Sequence, residues 1–164
     1  MKLAVCNEFF EGWKIEQVFD YAAEIGCDGV EIAPFTLAST VGRISSRRRR
    51  EIRRAAEKAG VDVVGLHWLL VKPAGLHITH PDAKVRKRTQ EYIKALIRFC
   101  SDIGGKVMIH GSPQQRRVER GWDREECWNR AADVFAGCTD LLKEAGVTYC
   151  IEPLTNKETN FITS

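Results

Sequence analysis

The 164-residue chain lacks the features that would place it in several large protein classes at once. No apolar run approaches the roughly 18 residues that a membrane span requires. The opening residues Met1–Trp13 meet acidic side chains too early for a secretory leader, so a cytoplasmic protein is expected. Six cysteines, at positions 6, 27, 100, 127, 138 and 150, include no CxxC pair. Cys6, Cys100, Cys138 and Cys150 fall inside apolar helical or strand patterns, which predicts buried free thiols in a reducing compartment. A surplus of one charge is also missing. With 25 basic and 22 acidic residues the net charge is +3, too small to drive binding to nucleic acid or an anionic membrane. Nor is there a glycine-rich phosphate cradle after the first apolar run, because Cys6–Trp13 holds one glycine and two acids.

What remains is a composition that forms a core. Hydrophobic residues make up 44% of the chain and charged residues 29%, which excludes disorder and suits about one domain. One joint recurs four times: a helical tail ends in glycine, a short apolar run follows, and the run stops at a polar residue. The copies are residues 22–32, 55–67, 99–110 and 141–152, with Gly26, Gly60, Gly104 and Gly146 placed to end helices. The runs Val61–Leu66, Lys106–Ile109 and Val147–Ile151 read as strands buried on both faces. Lys2–Cys6 supplies a first strand, and another starts near Gly29.

The intervening segments are amphipathic helices. The last of them is expected to run unbroken from a capping Asp123 past Cys127, Val134 and Cys138 to Ala145. The order is therefore βαβαβαβαβ with parallel strands and right-handed crossovers. A doubly wound sheet and a barrel both fit that alternation. The barrel is preferred because Glu31, His67, His110 and Glu152 all fall at the C-terminal ends of strands, the face on which (β/α)8 barrels build their sites. The expectation is an α/β chain forming a partial (β/α)8 TIM barrel, its first five strands and four helices. Residues 1–164 would be the N-terminal part of a single domain.

Glu152 is the strongest candidate for chemistry, since a carboxylate at the barrel mouth can bind a hard divalent ion or take a proton from carbon. His67 and His110 end neighbouring strands and are open to two uses, as metal ligands or as donors to substrate oxygens. Glu31 has the same placement without obvious companions, which favours a supporting role. Lys72–Asp82 should lie over the mouth, with His77 and His80 read as surface-loop residues. Arg116 and Arg117 follow the fourth strand, where one of them is placed to meet an anionic or polyol substrate. The basic run Arg47–Arg50, with Arg53, Arg54 and Lys58, follows Ser45 and Ser46 as expected N-caps and carries an apolar face at Ile52, Ala55, Ala56 and Ala59. It reads as the solvated outer side of a helix, because no interleaved aromatics offer base stacking.

Four stretches resemble the xylose-isomerase-like (β/α)8 superfamily of sugar isomerases and epimerases, which also contains the endonuclease IV type of abasic-site nuclease. They are GLHWLL at 65–70, GLHITHPDAKVRKRT at 75–89, KVMIHGSPQQR at 106–116 and CIEPLTNKETNFI at 150–162. The resemblance implies a metal-dependent sugar or sugar-phosphate epimerase with a small-molecule sugar substrate and a divalent ion such as Mn, Mg or Co. Glu152 would then be a metal ligand and one of two acid/base groups, Glu158 a substrate contact, His67 a substrate-side residue and His110 either that or a further metal ligand, with the remaining metal ligands, an Asp, a His and a second Glu, expected from strands six to eight. The alternative is a zinc nuclease in which His67, His110 and Glu152 belong to one metal cluster. A third reading is a non-catalytic partial barrel that pairs with a copy of itself, since an open barrel edge leaves strand groups unpaired.

Overall fold

The computed structural model describes residues 1–163. Five strands, β1 (Ala4–Cys6), β2 (Gly29–Ile32), β3 (Asp62–His67), β4 (Val107–His110) and β5 (Thr148–Ile151), alternate with helices α1 (Ile15–Glu24), α2 (Pro34–Leu37), α3 (Ser46–Ala59), α4 (Ala83–Asp102), α5 (Arg124–Ala136) and α6 (Thr139–Ala145). The sheet order is β1-β2-β3-β4-β5 and every pair is parallel. A doubly wound sheet reverses its order at a switch point, and this one never does. The architecture is that of a partial TIM barrel.

One sheet face supplies the core. Val30, Ile32, Leu66 and Met108 are fully buried against Phe19, Ile52, Leu96 and Phe99 of the helices. Each such side chain contributes about 1.5–3 kcal/mol on leaving water. The opposite face is open, and Cys6, Glu31, Ile109 and Cys150 on it are all at least partly exposed. Helix starts follow the sequence signals. Ser45 Oγ accepts from Arg48 N at 3.2 Å, and Asp123 Oδ1 accepts from Glu126 N at 2.8 Å. Gly60 and Gly146 end α3 and α6 with φ of +77° and +63°, a conformation that costs other residues strain. No helix among the described residues is long and apolar enough to cross a membrane.

Three expectations need correction. The helix expected from Asp123 to Ala145 is two helices, broken at Gly137–Cys138. Gln90 of α4 is the reason. Its Nε2 donates to Asp133 O at 3.4 Å and Val134 O at 3.2 Å, which takes up carbonyls at the end of α5. It fills the space beside Gly137, where a Cβ would lie 2.0 Å from that nitrogen. Second, β5 is not buried on both faces, and Cys150 is exposed, because it points to the open face of the sheet. All six cysteines are free. Third, His77 is half-buried and not a free surface-loop residue. Its ring packs 5.4 Å from Trp122, and its Nδ1 lies 3.1 Å from Thr79 Oγ1. The segment around it is pinned by Ile78 (0% exposed), whose N–H donates to Gln115 O.

The basic run lies on α3 as expected. Arg48 pairs with Glu16 of α1, Arg49 reaches Asp102 of α4 at 2.8 Å, and Arg47 and Arg53 pair with Glu51 and Glu57 on their own helix. Exposed pairs of this kind contribute about 0–1 kcal/mol each, so the run tethers helices more than it stabilises them.

Candidate active site

The sheet register decides which strand-end side chains can meet. In β4 and β5, Met108 pairs with Tyr149 and His110 with Ile151. Met108 lies in the core, so by strand alternation His110 and Tyr149 point to the helices, while Cys150 and Glu152 point to the open face. The contacts agree. The His110 ring is fully buried, 5.8 Å from Phe135 of α5, with Nδ1 2.8 Å from Tyr149 Oη. Glu152 is on the other side, and its Oε2 occupies the space where a Cβ on Gly111 would sit.

His110 and Glu152 therefore do not share a site, although they end adjacent strands. This corrects two sequence expectations: His110 as a metal ligand beside Glu152, and the zinc trio of His67, His110 and Glu152. Among the described residues no three ligating side chains gather around Glu152. One exposed carboxylate alone does not make a site for a divalent ion.

Arg116 is also not where a substrate contact would be. It is fully buried, and its Nη2 donates to the backbone carbonyls of Glu152 at 2.7 Å and Gly111 at 3.3 Å. Burial pulls its pKa down, opposed by the nearby Glu152 and Glu158 carboxylates. Arg116 is thus a clamp that ties the ends of β4 and β5 together and sets the position of Glu152. Glu158 follows in an exposed turn, where its Oε2 accepts from Thr155 N at 3.2 Å and Thr155 Oγ1 at 2.9 Å. That turn is anchored by Phe161, fully buried under Trp128, and by Asn160, which bonds both the N–H and the carbonyl of Val118.

His67 does face the open side, and a bulge puts it there. Val30 pairs with Val63, but Glu31 pairs with Gly65, so Val64 is an extra residue in β3. Two residues opposite one reverse the alternation for the rest of the strand. Val63 and Leu66 both stay in the core, and His67 turns toward Glu31. His67 Nδ1 lies 3.7 Å from Glu31 Oε2, and its Nε2 lies 3.2 Å from Glu8 Oε2. Cys6 Sγ donates to Glu31 Oε2 at 3.5 Å. Glu31 thus has the companions that the sequence reading did not find. Cys6 was legible as a fifth strand-end residue, whereas Glu8, in the turn after β1, carried no periodic signal. Beyond His67, Trp68 holds φ +51° and packs its half-exposed ring against Phe35 at 5.8 Å. A positive φ costs a non-glycine residue of order 1–3 kcal/mol, so the surrounding packing must hold Trp68 there. A hollow of about 450 Å³ opens beside Glu8, Trp13 and Phe35. A larger one, of about 530 Å³, lies at the opposite, N-terminal ends of the strands, around Ala4, Gly29 and Lys106.

The buried His110 and the half-buried His77 make a pH prediction. Burial pushes His110 down to about 3, with Arg116 adding repulsion, and pushes His77 down to about 4, with His80 adding to it. Both folded values lie below the unfolded value of about 6.5. Between about pH 6.5 and 3 the unfolded chain therefore binds protons that the folded chain refuses, and stability falls as pH drops. The His110 contribution reaches at most about 1.4 kcal/mol per pH unit. His77 adds less, because solvent partly reaches it. Urea unfolding between pH 7 and 4.5 should show this slope, and His110→Gln should flatten it. An unchanged slope would contradict the burial of that ring.

The comparisons agree with the geometry. The profile of the xylose isomerase-like TIM barrel family matches residues 19–164. No curated protein matches the chain in sequence. Solved structures similar to it include D-psicose 3-epimerase from Clostridium cellulolyticum, at 17% identity and a TM-score of 0.82, covering 99% of this chain and 55% of that one. A 3-keto-D-glucoside 4-epimerase from E. coli, at 19% identity and 0.73, is covered over 57% of its length by 94% of this chain. An L-ribulose 3-epimerase, at 18% and 0.75, is covered over 50% by 94%. The chain thus spans about half the length of these structures.

Proposed function

The chain belongs to the xylose isomerase-like TIM-barrel family, and from that premise we propose that it forms the first part of a single barrel domain of a sugar epimerase or isomerase, with the open sheet face as the sugar-binding surface. The observation that carries this reading is the placement of Glu152. Its carboxylate stands on the open face at the end of β5, beside Gly111, with its backbone carbonyl locked by the buried Arg116. Solved structures with this scaffold are epimerases acting on small sugars, which supports the same substrate class here.

In this reading Glu152 removes the proton from the carbon next to a ketose carbonyl. The C–H electron pair moves into the new C–C double bond and the carbonyl electrons to oxygen, giving an enediol(ate), and return of a proton to that carbon completes the exchange. Trp68 and Phe35 offer an apolar platform for the C–H face of the sugar. Glu158, six residues after Glu152 in the turn held by Thr155, is the further substrate contact in this reading. A divalent metal at this surface would need donors beyond Glu152. Unpaired strand groups of β1 and β5, the sheet edges among the described residues, would be covered by further strands of the barrel or by a second copy.

The test is solvent-hydrogen exchange. A ketose incubated with the protein in D₂O should take up deuterium at the carbon beside its carbonyl, read by proton NMR. Absence of exchange in every ketose tried would overturn the reading. Gly111→Ala supplies a sharper check. The added Cβ would lie 2.3 Å from Glu152 Oε2, the mobile end of a side chain, so the carboxylate moves aside and the fold does not. Exchange should fall by about 100-fold for a displacement near 1 Å, with stability unchanged within about 0.5 kcal/mol.

A further inference from the structure

We propose that Cys6, Glu31 and His67 form a binding site for a zinc-class divalent cation, with Glu8 steering the imidazole. The site lies on three adjacent strands and does not include Glu152, so it stands or falls separately from the epimerase reading. The register pairs Cys6 with Glu31 directly, and the β3 bulge brings His67 to the same face. One ligand atom from each of the three residues lies within 4.8 Å of the others. Cys6 Sγ is 3.5 Å from Glu31 Oε2, and His67 Nδ1 is 3.7 Å from the same oxygen. A tetrahedral ion with bonds of about 2.0 Å to oxygen and nitrogen and about 2.3 Å to sulfur sets its ligands about 3.3–3.5 Å apart. The two spacings to Glu31 meet that within a few tenths of an ångström, and the third, from Cys6 Sγ to the imidazole, lies within 4.8 Å and closes as the side chains turn onto the ion.

A second observation points to a missing partner. His67 is only 8% exposed, yet neither ring nitrogen has a hydrogen-bond partner, and Glu8 Oε2 has none either. His67 Nε2 and Glu8 Oε2 are 3.2 Å apart but are not aligned for a hydrogen bond. Buried polar groups are rarely left this way. An ion on Nδ1, with Nε2–H turned onto Glu8, satisfies all three atoms at once. A carboxylate behind a metal-bound histidine is the common arrangement for fixing its tautomer and orientation.

The charges agree with this assignment. Without a cation the Cys6 thiol is pushed up to about 12, first by burial and then by Glu31 and Glu8. A divalent ion reverses that field. The thiol releases its proton to solvent as the S–metal bond forms, and one thiolate plus one carboxylate neutralise the 2+ charge. A sulfur, nitrogen and oxygen donor set selects zinc or cobalt over magnesium or calcium, which prefer oxygen alone. Three protein donors leave a fourth tetrahedral position for water or a substrate oxygen.

Cobalt(II) titration of the chelator-treated chain tests this directly. Binding should produce a thiolate-to-cobalt charge-transfer band in the near ultraviolet, bleached by added Zn²⁺ and unaffected by Mg²⁺. Cys6→Ser should abolish the band, and Glu152→Gln should leave it intact. Glu8→Gln should keep the band but weaken zinc binding by about 10–100-fold. No band in the unmodified chain, or a band that survives Cys6→Ser and so arises from another cysteine, overturns the proposal. Should Cys6→Ser fail to fold by circular dichroism, His67→Gln decides, with about 100-fold weaker zinc binding expected and unchanged affinity overturning the site.

Discussion

Glu152→Gln is expected to lower the rate of ketose solvent exchange by about 10²–10⁴-fold, the usual contribution of a positioned general base. The change keeps the shape of the side chain and removes only its ability to take a proton. Its structural contacts do not depend on the carboxylate. Arg116 Nη2 binds the Glu152 backbone carbonyl, and the Glu152 N–H donates to His110 O at 3.3 Å, so both bonds survive the substitution. The side chain is exposed, but its charge also supports the buried Arg116 guanidinium, so stability should fall by about 1 kcal/mol at most. Proton NMR of the sugar in D₂O and a thermal melt of the same sample measure the two quantities together. An exchange rate within a few-fold of the original chain would remove Glu152 from the chemistry. A large loss of stability would mean instead that its backbone clamp had been disturbed.

Gly65→Ala should be the most damaging single change to the fold. Gly65 pairs with Val107 across β3 and β4, and an added Cβ would lie 1.9 Å from Val107 O and 2.7 Å from Val107 C. Both are backbone atoms, so no side chain can swing aside. Gly105 faces it from the other side, since a Cβ there would lie 3.2 Å from Gly65 Cα. The two strands would have to separate where Lys106 N donates to Val64 O at 3.0 Å. Overpacking typically costs about 1–3 kcal/mol where neighbours can shift. Here the cost should be about 4 kcal/mol or more, a large part of the 5–15 kcal/mol that holds a domain together. Loss of soluble protein, or a matching fall in the urea midpoint, would show it. A soluble Gly65→Ala variant within about 1 kcal/mol of the original would contradict the close approach of β3 and β4.

Much of this was legible because strand and helix periods are local properties. The β-branched runs at Val61–Leu66 and Val147–Ile151 and the capping oxygens of Ser45 and Asp123 lie within a residue or two of where they were expected. The break at Gly137 was not legible, because its cause is Gln90, 47 positions away in the chain. The exposure of Cys150 was hidden for a similar reason. An apolar pattern marks a strand but does not say whether that strand is covered on both faces.

The amino-acid order by itself determined that strands and helices alternate, that the strands are parallel, and that polar residues close each of them. It also pointed to the family the chain belongs to. Only the tertiary structure decided which of those closing residues share a face. A strand's side chains alternate with period two, so a single extra residue reverses every later one. Val64 is that residue in β3, and it turns His67 toward Cys6, Glu8 and Glu31. The register between β4 and β5 has no such insertion, so His110 stays with the helices while Glu152 stands in the open. Pairing between distant strands fixes that parity, and no local sequence pattern carries it.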